Sequence, residues 1–202
     1  VSPEAIVTET QPLILHFGPA LQRMSDHEFF ELCRLNSDWR LERTSAGDLI
    51  IMPPTGGWTG HRNFTLIGLF SRWVEEDGRG IGFDSSTGFT LPNGARRSPD
   101  LAWVRRVRWE ALSLEEQEEF PPLCPDFVVE LRSRSDDLAT LQAKMQEYIA
   151  NGAQLGWLID PRAKKVYIYR PSADVQCLED PVTVSGEPVL PGFTLDVRRL
   201  WS

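Results

Sequence analysis

Asp100, which closes the dipeptide Pro99-Asp100, and Glu130, set inside Phe127-Val-Val-Glu-Leu-Arg-Ser133, are the carboxylates of this sequence best placed to do chemistry. Two cations follow them, Arg132 and Lys144. An unpaired charge in an apolar strand costs several kcal/mol, so such a residue is paired, bound to a metal or put to use. Side chains alternate along a strand, so Asp126, Val128, Glu130 and Arg132 share one face while Phe127, Val129 and Leu131 share the other. The plain reading is a same-face ion pair between Glu130 and Arg132. The chemical reading is a divalent-cation site, for which Glu130 needs a second carboxylate.

Two Pro-Asp dipeptides could supply it, ending at Asp100 and Asp126. Asp126 is four residues from Glu130 on one strand, which at about 3.3 Å per residue separates their backbones by roughly 13 Å. Mg²⁺ binds oxygens at about 2.1 Å, so its ligands must lie within a few Å of one another. Asp126 therefore suits a strand cap, whereas Asp100 can stand level with Glu130 on a neighbouring strand.

Helices and hairpins must position these groups. Ser25 stands three residues before Glu28, the capping-box spacing, and Phe29, Leu32, Cys33 and Leu35 follow as the apolar face of a short helix. Residues 39–54 form a β-hairpin around Ser-Ala-Gly-Asp, with Glu42 in its first strand. A long helix runs over residues 59–77, with Phe64, Ile67, Phe70 and Val74 on one side and Gly78 as its stop. His61, in its first turn, is either a polar cap or a secondary site residue. Strand, Pro-Asn-Gly turn and strand follow through residues 89–104, and residues 109–119 suggest a short acidic helix or insertion. After Glu130 comes a helix with Leu138, Leu141, Met145, Tyr148 and Ile149 as its apolar stripe, Lys144 at the edge of it, and Gly152 as the stop. QLGWLID and KVYIYR then flank a turn. The order predicts one mixed sheet flanked by helices.

Composition narrows the function. With 202 residues, 41% hydrophobic and 25% charged, the chain suits a single domain over residues 1–202, its first 20 residues extended or arm-like. No apolar run reaches the roughly 20 residues of a membrane span and no secretory signal is visible, so a cytoplasmic protein is expected. Cys33, Cys124 and Cys177 are too few and too scattered for a disulfide framework or a CxxC metal site. A net charge of −8 opposes long-range attraction to nucleic acid, leaving only local patches at Arg96-Arg97, Arg105-Arg106-Val-Arg108 and Arg132-Ser-Arg134, which by themselves read as solvated arginines. Trp58, Trp73, Trp103 and Trp157 read as core or interface, and Tyr148 as core.

Taken in order, these motifs resemble the Uma-type endonuclease family of the PD-(D/E)XK, restriction-endonuclease-like superfamily. The likeness runs from about Met24 to Trp201: Glu42 before the Gly47-Asp48 turn, MPPTGG followed by His61, SPDLAWV, FVVELRS, KMQEYIANG, WLIDP and the closing LPGFTLDVRRLW. It implies an α/β (α+β) fold, a restriction-endonuclease-like central mixed β-sheet flanked by helices, carrying a nuclease centre that uses Mg²⁺ or Mn²⁺. Asp100 and Glu130 correspond to the two metal-binding carboxylates, with the Leu131 carbonyl as a third ligand. The superfamily expects Lys two residues after the acid, where this chain has Arg132. Related families carry that lysine on the following helix, and Lys144 fits the shift. Arg stays protonated and suits two-pronged phosphate binding, whereas Lys is a point charge. The resemblance thus gives Lys144 to the attacking water and Arg132 to the phosphate or to Glu130. Glu42 resembles a helper acid that orients the metal or binds a second one.

In that reading the metal lowers the pKa of its water and neutralises charge on the phosphate during in-line attack. The expected partner is nucleic acid, with DNA as the polymer and no membrane, and the expected assembly is a homodimer by analogy. Two rivals stand beside it. One is a catalytically silent nucleic-acid-binding or scaffold protein that keeps the fold, favoured by Arg132 and the −8 charge. The other is a sugar hydrolase, which needs its carboxyls about 5 to 9 Å apart with no metal and no converging lysine.

Overall fold

The computed structural model describes residues 11–201. Its elements run β1 (Leu13–His16), α1 (Pro19–Gln22), α2 (Asp26–Leu35), β2 (Arg40–Arg43), β3 (Asp48–Met52), α3 (Gly57–Asp77), β4 (Gly80–Asp84), β5 (Phe89–Thr90), β6 (Arg96–Arg97) and β7 (Leu101–Arg105). There follow α4 (Arg106–Trp109), α5 (Leu114–Glu118), β8 (Phe127–Leu131), α6 (Leu138–Ala150), β9 (Leu155–Asp160), β10 (Lys165–Tyr169), β11 (Gln176–Glu179), β12 (Thr183–Ser185) and β13 (Thr194–Asp196).

A six-stranded mixed sheet, ordered β11-β10-β9-β8-β7-β4, forms the centre. Its one parallel pair, β8 with β9, is joined through α6, the connection a parallel pair requires. β8 is buried on both faces. Phe127, Val129 and Leu131 pack with Leu66 and Phe70 of α3, with Trp157, and with the C-terminal Phe193 and Leu195. Val128 faces the opposite way, into a second cluster with Met145 and Tyr148 of α6. Glu130 therefore points from the middle of the sheet toward α6.

The capping box of Ser25 and Glu28 opens α2 as expected, and α5 opens on a second one, Ser113 with Glu116. The hairpin of β2 and β3 forms too, but it belongs to a separate antiparallel sheet ordered β1-β3-β2-β6-β5. Sequence periodicity misses β4, whose two glycines dilute the strand pattern, and it misses β1. Leu13–His16, within the segment expected to be extended or arm-like, pairs antiparallel along β3 as an edge strand, and residues 1–10 lie outside the described residues.

Two apolar stripes also need correction. Leu35 is exposed on α2, and Phe64 is 78% exposed on α3, whose buried face is Leu66 and Phe70. Trp73, Trp103 and Trp157 join the core, whereas Trp58 is exposed. Among the described residues, no helix is long and apolar enough to cross a membrane.

Candidate active site

Antiparallel pairing of β7 and β8 sets Leu101 opposite Val129, and one further step of that register sets Asp100 opposite Glu130. Both carboxylates border a cavity of about 470 Å³, lined also by Arg40, Thr59, Asn63, Leu131 and Ser133. Asp100 Oδ2 accepts the Leu131 N–H at 2.8 Å, which fixes the carboxylate at the end of β8. Among the described residues its Oδ1 is paired with the Arg40 guanidinium alone, at 3.6 Å, beyond hydrogen-bond length.

Glu130 is almost fully buried, and its Oε1 takes the Tyr148 hydroxyl at 3.1 Å and the Lys144 ammonium at 2.8 Å. Lys144 and Tyr148 stand one turn apart on α6, so both reach the same oxygen. Lys144, expected at the edge of the apolar stripe, is drawn inward. It is buried, and it also donates to Glu42 Oε1 at 2.9 Å. Glu42 is inaccessible to solvent and takes Arg97 Nη1 at 3.1 Å and the Ser98 N–H at 3.1 Å. It is joined to Glu130 through Lys144 and does not line the cavity.

The two acids on Lys144 titrate in opposite directions. Burial pushes the Glu130 carboxyl up to about 7, an effect that Asp100 and Glu42 reinforce and that Lys144 only partly offsets. Burial would raise Glu42 as well, but Lys144, Arg97 and Arg40 outweigh it and hold that carboxyl low, at about 2. Glu42 is thus a permanent anion, and Glu130 is poised near neutrality.

The remaining predicted residues are drawn elsewhere. Arg132 makes no ion pair with Glu130; its Nη1 binds Asp160 at 2.6 Å, and its Nε donates to the Asp136 carbonyl. His61 does not cap α3, whose N-cap is Gly56, and it sits exposed, edge-on to Trp58 and away from the cavity lining. Asp126 caps the end of β7 and gathers Arg105 and Arg108. Arg96 and Arg97 are buried rather than solvated. Arg96 pairs with Asp26, and Arg97 binds both Glu42 and Glu147.

Sequence reasoning did not select Arg40, Arg97 or the Tyr148 hydroxyl as parts of this site. For Tyr148 the signal was present, since it stands one turn after Lys144. The convergence of Lys144 on Glu130 is what the sugar-hydrolase reading had to lack.

The residues fit a hard divalent cation. Among the described residues no group of three or more His, Cys, Asp or Glu side chains gathers as a metal cluster. Mg²⁺, however, is commonly held by one or two carboxylates and keeps several waters. Asp100 Oδ1 and Glu130 Oε2 accept no hydrogen bond from the described residues, so each carboxylate keeps one oxygen uncommitted at the cavity.

The Uma2 family profile, described as "Putative restriction endonuclease", matches residues 26–198. The chain belongs to the Uma2 family. A comparison with curated proteins finds no match. Among solved structures, the chain resembles a "putative nuclease belonging to DUF820" from Anabaena variabilis ATCC 29413, with a TM-score of 0.69 and 20% identity over 80% of this chain and 89% of that one. At that identity the likeness speaks for the fold alone, and it is the nuclease-like α/β fold expected from the motifs. In this Uma2 member the matched region spans α2 through β13 and so includes every residue of the acid and lysine cluster.

Proposed function

We propose that the protein is a divalent-metal-dependent nuclease that hydrolyses phosphodiester bonds of nucleic acid, with DNA as its polymer. One observation carries the reading: Asp100 and Glu130 edge one cavity side by side while the buried Lys144 ammonium rests on Glu130. Family membership supports the same class of reaction.

Asp100, Glu130 and the Leu131 carbonyl are the groups that would hold Mg²⁺ or Mn²⁺. Such an ion supplies a low-pKa water and neutralises charge on the phosphate. The chain contributes the rest. Lys144, anchored by Glu42, keeps a positive charge beside Glu130 in a site largely shielded from water, where it stabilises negative charge more strongly than in solution. Tyr148 donates to Glu130 Oε1 and so leaves Oε2 turned free. Glu42 acts as a positioning residue through Lys144 rather than as a second metal ligand. Arg132, whose chain neighbours Leu131 and Ser133 line the cavity, keeps its guanidinium on Asp160, where a phosphate could compete for it.

The test is a cleavage screen over single- and double-stranded DNA and RNA with Mg²⁺ or Mn²⁺, beside Asp100→Ala. Loss of metal-dependent cleavage in the variant is expected, and undiminished cleavage would sink the assignment. The silent nucleic-acid-binding reading is favoured by the full pairing of Lys144 between two acids. It predicts binding without cleavage under every condition of the same screen.

The reading extends to a homodimer, supported by the exposed apolar residues Leu13, Ile14 and Leu15 on the edge strand β1. Light scattering should give twice the 22.9 kDa chain mass, and a single chain mass overturns that part alone.

A further inference from the structure

The cluster holds three cations, and two of them are locked. Lys144 is fixed by two carboxylates and Arg97 by Glu42 and Glu147. Arg40, the first residue of β2, is different. Among the described residues it is the cation paired with Asp100, yet at 3.6 Å it makes no hydrogen bond to it, and its Nε is buried with no hydrogen-bond partner. Its side chain is still 31% exposed and lines the cavity of about 470 Å³, which leaves the guanidinium room to move.

A guanidinium held by charge alone beside a half-committed carboxylate is easily displaced. A divalent cation arriving at Asp100 would take over the neutralising role and repel Arg40. A guanidinium presents five donors in a planar fork, a geometry suited to two oxygens of a phosphate rather than to one oxygen of Asp100.

We propose that Arg40 is a placeholder cation: it neutralises Asp100 while the metal is absent, and metal binding releases it to grip a phosphate of the nucleic-acid backbone. Metal and phosphodiester then bind with positive coupling, because each favours the same position of one side chain. The proposal rests on the reading of Asp100 and Glu130 as a metal site.

The test uses the full chain and reads binding, not turnover. Mn²⁺ affinity is measured by calorimetry without nucleic acid for the wild type, Arg40→Met and Asp100→Ala. Oligonucleotide affinity is then measured with and without Ca²⁺. Arg40→Met should bind Mn²⁺ about tenfold more tightly than the wild type, within the usual span of coupling between sites. It should also lose the gain in oligonucleotide affinity that Ca²⁺ gives the wild type. Unchanged or weaker Mn²⁺ binding overturns the placeholder role, provided Asp100→Ala abolishes Mn²⁺ binding. If Asp100→Ala binds Mn²⁺ as the wild type does, the metal reading itself falls, and this inference with it. Should Arg40→Met fail to fold by circular dichroism, Arg40→Lys decides. Keeping the charge, it should retain wild-type Mn²⁺ affinity while losing most of the Ca²⁺-dependent gain, and a full gain overturns the proposal.

Discussion

Asp100 and Asp126 do the same structural job in different company. Each follows a proline and precedes a strand, and β7 and β8 are antiparallel, so the two stand at opposite ends of one strand pair. Each caps its neighbour: Asp100 accepts the Leu131 N–H at the end of β8, and Asp126 accepts the Arg105 N–H at the end of β7, at 2.8 and 2.9 Å. What surrounds them differs. Asp100 stands beside Glu130 at the edge of a cavity that also holds one loosely held arginine. Asp126 collects Arg105 at 3.5 Å and Arg108 at 3.0 Å. The dipeptide therefore encodes a strand cap. The chemistry comes from whatever the neighbouring strand brings alongside.

That contrast can be broken by exchanging outcomes. Asp100→Ala should lower metal-dependent cleavage by at least about a thousandfold, since it removes an electrostatic anchor made for the transition state. Asp126→Ala should leave the cleavage rate within about threefold of wild type, because Asp126 is remote from the cavity lining. If the two variants lose activity alike, the distinction between cap and site is wrong.

The next effect concerns the acid that sets Asp100 apart. A carboxyl whose folded pKa is raised binds its proton more tightly in the native state. Its penalty is absent below the unfolded value of 4.5, builds as pH rises, and is complete above the folded value of about 7. Glu42 shifts the other way and loses its contribution only as pH falls from 4.5 toward about 2, so it is silent between pH 5 and 8. Glu130→Gln should therefore flatten the fall in stability across pH 5–8, by an amount on the order of 2–3 kcal/mol. His27, raised by its hydrogen bond to Glu119, gives the wild type and the variant the same further slope, so the difference between their urea curves is the quantity to read. Equal pH slopes would refute the raised carboxyl.

Much of this arrangement is legible in the sequence because it is local or periodic. The period-2 pattern of residues 127–131, the capping box at Ser25 and the βα step to Lys144 each lie within one element or two adjacent ones. The Asp100–Glu130 pairing also follows, since consecutive strands of a meander are neighbours. What stays hidden depends on partners far along the chain. Arg97 looks like a surface arginine until Glu42, on a hairpin 55 residues earlier, accepts its hydrogen bond. Arg40 carries no signal of its own in the sequence, because the carboxylate it meets, Asp100, lies 60 residues further along. Phe64 misleads for a geometric reason: it lies about 120° around the helix from Phe70 and about 160° from Leu66, off the face that is buried. There the tertiary packing of α3, rather than its sequence, decides exposure.

The smallest effects belong to Asp126 and its arginines, and they test whether that end of the sheet is only structural. Asp126→Ala removes the acceptor for the Arg105 N–H and both ion pairs, so stability should fall by about 1.5–2 kcal/mol, the low end for a hydrogen bond to a charged group because both arginines are partly exposed. Arg108→Ala removes one partly exposed pair, and solvent screening should hold its cost below about 1 kcal/mol, shrinking further in high salt. The hydrogen bond to the backbone is untouched in that variant, so the strand end stays capped. A loss for Arg108→Ala as large as that for Asp126→Ala would mean that the ion pairs, not the cap, hold this carboxylate. The kinship drawn between the two Pro-Asp dipeptides would then rest on Asp100 alone.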